Sequence, residues 1–238
     1  MEIINKVGLE VEFFLINNNN SKLVFPDDYG FETDDYPILG EFRCEPGSTR
    51  KETIGNYFKE LANVIYKSKQ NKQTLVFGYQ SITPEFKSEI LKRMGTKSIQ
   101  DTRNIYNLDI LKLSDDVVEN GVITKCLVSA GLHIHFSKEV SYELNIKEKG
   151  NSNVKTYSDT KYLITEKQKK TIIRKLDNNI LPLHDLGVNL KYRNKGFYED
   201  KPYGFEYRSL PMYNNFQGLY RIMDVVDYSF NCLEDLDK

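Results

Sequence analysis

The 238-residue chain has no tryptophan, only three histidines, three cysteines and seven prolines. Cys44, Cys126 and Cys232 are odd in number, far apart and without CxxC spacing, so neither a disulfide framework nor a thiolate zinc site is indicated. Reduced, structural thiols are expected. No apolar run approaches the length of a membrane span, and the opening "MEIINKVGLEVEFFLI" has neither a basic n-region nor a small-residue cleavage site. A cytoplasmic location is therefore expected. Neither sign of charge dominates: 33 basic and 34 acidic residues leave a net charge of -1, which gives no electrostatic reason to expect nucleic acid or an anionic membrane. Any anionic ligand must be held locally. What is present, 39% hydrophobic and 28% charged residues, is ordinary for a globular protein, and the length suits one elaborated domain over residues 1–238 without internal repeats.

Punctuation along the chain places the elements. Residues 3–16 read as a strand that doubles back at "NNNNS", and the acidic, turn-rich stretch 26–37 leads to a short strand in "LGEFRCEP". Ser48 or Thr49 caps a helix running to about residue 70, with Leu61, Val64 and Ile65 in its apolar stripe. "TLVFGYQS" reads as one strand, and "TPEFKSEILKRMG" as a helix with Thr83 as N-cap, Pro84 at the first position and Gly95 beyond its end. "GVITKCLVSAGLHIHFS" reads as one long strand, and residues 148–162 as an exposed loop or hairpin able to serve as a lid. A helix over 165–180, a strand in "PYGFEYRSLP" and a closing helix over 215–236 complete the pattern.

Four strands share one alternation. Residues two apart in a strand lie on one face. "GLEVEFFL" sets Leu9, Val11, Phe13 and Leu15 against Glu10 and Glu12, and "GEFRCEP" sets Phe42 and Cys44 against Glu41, Arg43 and Glu45. "GLHIHFS" sets Leu132, Ile134 and Phe136 against His133 and His135, and "YGFEYRS" sets Phe205 and Tyr207 against Glu206 and Arg208. Each alone is what any half-solvated antiparallel strand looks like. Together they differ from a solvent face, where Thr, Ser and Lys predominate. If the strands pair, carboxylates, imidazoles and guanidiniums form one floor, and such carboxylates repel one another unless cations sit among them, either metals or arginines. A carboxylate-dominated site favours Mg²⁺ or Mn²⁺, and arginine forks beside it suit phosphate or carboxylate oxygens.

These motifs resemble the carboxylate-amine ligases of the glutamine synthetase and glutamate-cysteine ligase superfamily, particularly the amidoligase-like proteins encoded by some bacteriophages. The resemblance spans nearly the whole chain in order, through "VGLEVEFFL", "GEFRCEPG", "SAGLHIHFS" and "YRNKGFYEDKPYGFEYRSLP". It implies an α+β fold, a curved, mainly antiparallel sheet flanked by helices in a glutamine synthetase-like catalytic domain. It also implies ATP and Mg²⁺ or Mn²⁺ as cofactors, with small-molecule or peptide carboxylate and amine substrates. Glu10, Glu12, Glu41, His133 and Glu206 would then be metal ligands, and His135 would face the ATP phosphates. Arg208 would neutralise the transferring phosphoryl group, while Arg43 or Arg193 would grip substrate carboxylate or phosphate. The pattern departs in one place: no clear second acidic ligand stands between Glu41 and the histidines, with Glu45 the nearest candidate.

Competing assignments exist for several residues. The His-x-His pair also fits a metal-dependent hydrolase or cupin-like barrel using zinc or iron without a nucleotide. A non-catalytic binding protein on the same fold is a third option. His184 is read as structural, Cys44 as core, and Asp34 and Asp35 as surface turn residues, although the last two could meet an incoming amine. Tyr198 and Tyr203 could stack on adenine. Lys167, Lys169, Lys170, Arg174 and Lys175 are read as the wet face of an amphipathic helix.

Overall fold

A computed structural model describes residues 2–33, 36–94, 115–147, 154–184, 193–213 and 217–237. The chain is α+β, a curled antiparallel sheet carrying four α-helices among the described residues. The first strand organises the rest. β1 (Glu2–Asn17) is sixteen residues long, and its odd-numbered side chains Val7, Leu9, Val11, Phe13 and Leu15 are fully buried. Its end turns back at "NNNNS" into β2 (Lys22–Val24), as the polar run predicts. β3 (Gly40–Arg43) pairs with its middle, setting Glu10 opposite Arg43 and Glu12 opposite Glu41.

α1 (Arg50–Gln70) starts at Thr49, whose hydroxyl accepts the Glu52 N–H at 3.2 Å. It buries Thr53, Tyr57, Val64 and Ser68, and packs against β1 and β4 (Gln73–Val76). "TLVFGYQS" is two strands rather than one. Gly78 sits at φ 79, a left-handed conformation that ends β4 and starts β5 (Tyr79–Ile82) in a different sheet. α2 (Pro84–Arg93) is capped by Thr83, which accepts the Phe86 N–H at 3.2 Å; Gly95 lies outside the described residues.

The single long strand expected over 121–137 is also divided. β6 (Asp115–Glu119) and β7 (Val122–Ser129) form a three-stranded sheet with β5, and β8 (Gly131–Lys147) joins the large sheet. Ala130 is the switch between them, its N–H bonded to Gly78 O and its carbonyl to Met212 N–H, each at 2.8 Å. β9 (Val154–Tyr162) pairs with β8 over nine residues, so the hairpin alternative holds for that stretch. Residues 148–153, where a lid was expected, lie outside the described residues, as do Asp34 and Asp35.

α3 (Glu166–Asn179) opens with a reciprocal cap between Thr165 and Gln168. One of its lysines departs from the wet-face expectation: Lys169 is buried, paired with Glu166 at 2.5 Å and with Asp200, and set 4.8 Å from the Tyr198 ring. β10 (Tyr198–Lys201) and β11 (Gly204–Pro211) form a hairpin whose second strand pairs with β8, and α4 (Gln217–Glu234) closes the chain against α1 and β1. The large sheet runs β10-β11-β8-β1-β2, with β3 and β4 also on β1 and β9 also on β8. Its apolar face shares one core with Ile172 and Leu176 of α3 and Val225, Val226 and Phe230 of α4. Burial at about 25 cal/mol per Å² makes that face the main stabilising term. All three cysteines are buried free thiols, and among the described residues no helix is long and apolar enough to cross a membrane.

Candidate metal centre

The ionic faces of the four strands meet. Antiparallel register places Glu10 of β1 opposite both His133 of β8 and Arg43 of β3, and His135 opposite Gly8 on one side and Glu206 of β11 on the other. Between Tyr207 and Leu210 the β11 register shifts, so Arg208 and Ser209 together span the single position of His133. Such a bulge re-aims a side chain. Here the Arg208 Nη1 reaches Glu206 Oε1 at 2.8 Å and Glu199 Oε2 at 3.2 Å.

Little water reaches these carboxylates: Glu10, Glu12 and Glu206 are 4%, 2% and 1% exposed. An uncompensated buried carboxylate costs on the order of several kcal/mol, so each needs a cation. Arg43 Nε holds Glu10 Oε2 at 2.7 Å, and its Nη2 holds Glu41. Lys201 Nζ lies 2.9 Å from both Glu199 Oε2 and Glu206 Oε2, bridging two like charges that face each other across β10 and β11. Burial works against the charged form of Glu10, but hydrogen bonds from His133, His135 and Arg43 outweigh it and hold the carboxyl below the usual range. Burial opposes ionisation of Glu12 and Glu206 as well; for Glu12 it is outweighed by the charges of Arg193 and Arg208, and for Glu206 by the hydrogen bond from His133 and the charge of Arg208. All three carboxyls are ionised at neutral pH.

Arg193 is a buried lock. Its Nε faces Ser129 Oγ at 3.3 Å; Nη1 faces His133 Nε2 at 3.3 Å and Arg208 O at 3.2 Å; Nη2 faces Glu12 Oε2 at 2.6 Å and Ser129 O at 3.2 Å. These contacts match the five N–H donors of a guanidinium one for one. The expectation that Arg193 grips a substrate therefore meets a guanidinium whose donors are engaged inside the protein. The plane lies against Gly131, where a Cβ would come within 2.5 Å of Arg193 Nη1, and the Gly131 N–H donates to Glu12 Oε2.

The two histidines have different tasks. His133 is fully buried, with Nδ1 3.0 Å from both Glu10 Oε1 and Glu206 Oε1. Burial and Arg208 favour its neutral form, yet Glu12, Glu10 and Glu206 draw the pKa up to about 9. The Arg193 donor at Nε2 pulls the other way, because a guanidinium never accepts and so requires a bare nitrogen there. The contact geometry decides for the Nδ1–H ring, and further positive charge among the carboxylates would make that form the stable one. His135 is the more open of the pair. Its Nδ1 is 2.6 Å from Tyr203 Oη and its Nε2 is 3.7 Å from Glu10 Oε2.

Among the described residues one three-residue set has metal-binding spacing. Glu10, His135 and Glu206 each present a ligand atom within 4.8 Å of the others. Glu206 Oε2 is buried with Lys201 Nζ 2.9 Å away, so a cation in this set would share that oxygen with the lysine. Two carboxylates and one imidazole suit Mg²⁺ or Mn²⁺ better than zinc. Of the expected ligands, Glu10 and Glu206 are in this set, with His135 joining them; Glu12 and His133 lie beneath it in contact with Arg193, and Glu41 is reached through Arg43. Glu45 is exposed on the rim of an adjoining groove. Cys44, read as core, is buried with its thiol pushed up to about 12 by burial and by Glu60 and Glu10, which makes it a poor nucleophile. His184 is structural, bonded to Pro211 O at 3.1 Å.

Lys201 and Glu199 extend the site beyond the residues read from sequence, and Tyr203, read there as able to stack on adenine, is bonded to His135. Alternation in "YEDK" was the available signal, since it puts Glu199 and Lys201 on one face just before Tyr203 and Glu206. Comparison of the chain with protein-family models, with curated proteins and with solved structures gives no match.

Proposed function

We propose that this protein is an ATP-dependent carboxylate-amine ligase that uses Mg²⁺ or Mn²⁺. The reading is carried by one observation, the convergence of Glu10, His135 and Glu206 within 4.8 Å among buried arginines on the face of the sheet opposite the core. A divalent cation held by those three side chains would draw phosphate oxygens together and screen their charge. Arg208, fixed on Glu206 and Glu199 by the bulge, supplies positive charge on the β11 side, and Arg43, 62% exposed, supplies it at the open edge. In the reaction a substrate carboxylate oxygen bonds to the γ-phosphorus as the bond to ADP breaks. An amine nitrogen then bonds to the acyl carbon, phosphate leaves, and the amine gives up a proton. Positioning and charge stabilisation carry both steps, so a site without a nucleophilic side chain is suited to them.

The test is ADP release with Mg²⁺ across pools of carboxylic acids and amines, run beside Glu10→Gln. Substrate-stimulated ADP and an amide product are expected, with turnover falling at least about 100-fold in the variant. Turnover untouched by Glu10→Gln, or hydrolysis that needs zinc or iron and no nucleotide, would overturn the ligase and favour a hydrolase.

A further inference from the structure

Glu206 offers two oxygens to a metal, and Oε1 is taken by Arg208 Nη1 at 2.8 Å and His133 Nδ1 at 3.0 Å. A carboxylate oxygen has room for about two such contacts, so an ion reaches Glu206 through Oε2. Lys201 Nζ stands 2.9 Å from that oxygen. Lys201 and Arg208 together match the charges of Glu199 and Glu206, and the protein's own side chains thus balance this corner of the site.

The two cations are held differently. Arg208 is buried, and its planar fork bridges Glu206 Oε1 and Glu199 Oε2 from the bulge of β11. Lys201 is a point charge on a flexible stem at the last position of β10, where its cross-strand neighbour is Gly204 and no side chain stands opposite. Its side chain is 24% exposed, and its partners lie at different depths: Glu206 is buried, whereas Glu199 is 29% exposed. Rotation about the stem therefore takes Nζ off Glu206 while it keeps Glu199.

A divalent ion supplies the force for that move. Mg²⁺ sits about 2.1 Å from an oxygen ligand, so an ion and the ammonium on one Oε2 would be at most about 5 Å apart. Their repulsion in a buried site exceeds the worth of a partly exposed lysine pair. Glu10 and His135 hold the ion as well, and the lysine is the partner that yields.

We propose that Lys201 competes with the metal for Glu206 Oε2 and that a divalent cation entering the Glu10–His135–Glu206 set moves the ammonium onto Glu199 alone. Lys201 thereby sets the concentration of Mg²⁺ or Mn²⁺ that the protein requires. This rests on the metal centre and is independent of which reaction the centre serves.

The test is calorimetric titration of the full chain with Mn²⁺ and with Mg²⁺ at one pH, wild type beside Lys201→Met. The variant is expected to bind either ion at least about tenfold more tightly, as relief of an ionic competitor predicts. It should also melt below wild type without metal and gain more in melting temperature from Mn²⁺. A lysine that only supports Glu206 would give weaker metal binding in the variant, and a surface ion pair would give no change; either result overturns the competition. A second measurement needs no variant stability: the Lys201 ammonium resonance of wild type should shift with added Mg²⁺ at the calorimetric midpoint. A resonance that stays fixed while Mg²⁺ binds overturns the proposal. Failure of both proteins to bind either ion removes the metal centre and this proposal with it. Tighter binding in Lys201→Met without any substrate-stimulated ADP release would overturn the ligase and leave the role of Lys201 standing.

Discussion

Tyr203 Oη stands 2.6 Å from Nδ1 of His135, leaving Nε2 as the histidine nitrogen that faces Glu10. The tyrosine sits in the β10–β11 turn, sixty-eight residues along the chain from the histidine. With its pKa pushed up to about 12 by burial, the phenol keeps its proton at neutral pH and can accept from Nδ1–H while donating elsewhere. Groups that fix the tautomer of a ligating histidine are worth about 10- to 100-fold in metal affinity. Tyr203→Phe is therefore expected to weaken Mn²⁺ binding by that factor at nearly unchanged melting temperature, measured by calorimetry and thermal unfolding. Equal affinity in variant and wild type would show that the hydrogen bond does not orient the ring.

Arg193 should matter to the fold before it matters to any ligand. Removing it strips the buried Glu12 of its direct guanidinium partner and takes two donors away from Ser129. Breaking one side of a buried ion pair costs about 3–5 kcal/mol. Arg193→Met is expected to lose stability on that scale in urea unfolding, and Gly131→Ala to lose stability as well by driving a Cβ into the guanidinium. A loss below about 1 kcal/mol in both would mean that the lock is not stabilising.

Arg43 makes the opposite case. Its side chain is 62% exposed but it pairs with the buried Glu10 and Glu41, so Arg43→Ala is expected to lower stability by about 1–3 kcal/mol, less than the loss of Arg193 because water can reach the site Arg43 leaves. The larger effect should fall on substrate, as a rise in KM of about tenfold with a smaller change in kcat. A kcat loss at constant KM would assign Arg43 to the transferring phosphoryl group instead.

Stability should fall on the acid side through His184. Burial pushes its pKa down from 6.5 to about 4, against the bond to Pro211 O. The unfolded chain binds a proton below about 6.5 while the folded chain resists until about 4, so the contribution is complete above 6.5 and is lost as pH drops through that window. The amplitude is about 3 kcal/mol. Wild type should lose stability relative to His184→Asn between pH 7 and 4, and parallel curves for the two would sink the assignment.

Much of this arrangement was legible in the chain itself. Thr49, Thr83 and Thr165 announce three helices because a hydroxyl before an amphipathic run satisfies the free N–H groups of the first turn. Alternation in four segments put Glu10, Glu41, His133, His135, Glu206 and Arg208 on ionic faces, since the two-residue period of a strand is fixed by its backbone. Local rules of this kind need no knowledge of neighbours.

The rest was decided by pairing. Both halves of "TLVFGYQS" and of "GVITKCLVSAGLHIHFS" have strand patterns, so nothing local said that Gly78 and Ala130 send them to different sheets. His133 and His135 share one face and one kind of neighbour, and alternation cannot separate them. They differ because Arg193 arrives from sixty residues away to cover one, while Tyr203 from the β10–β11 turn holds the other. Lys169 looks like a solvated lysine until Asp200 and Tyr198 are brought against it. The sequence by itself determined which residues carry charge and which face of each strand they occupy; only the tertiary structure decided which charges meet, because burial and register are set by contacts between segments remote in the chain.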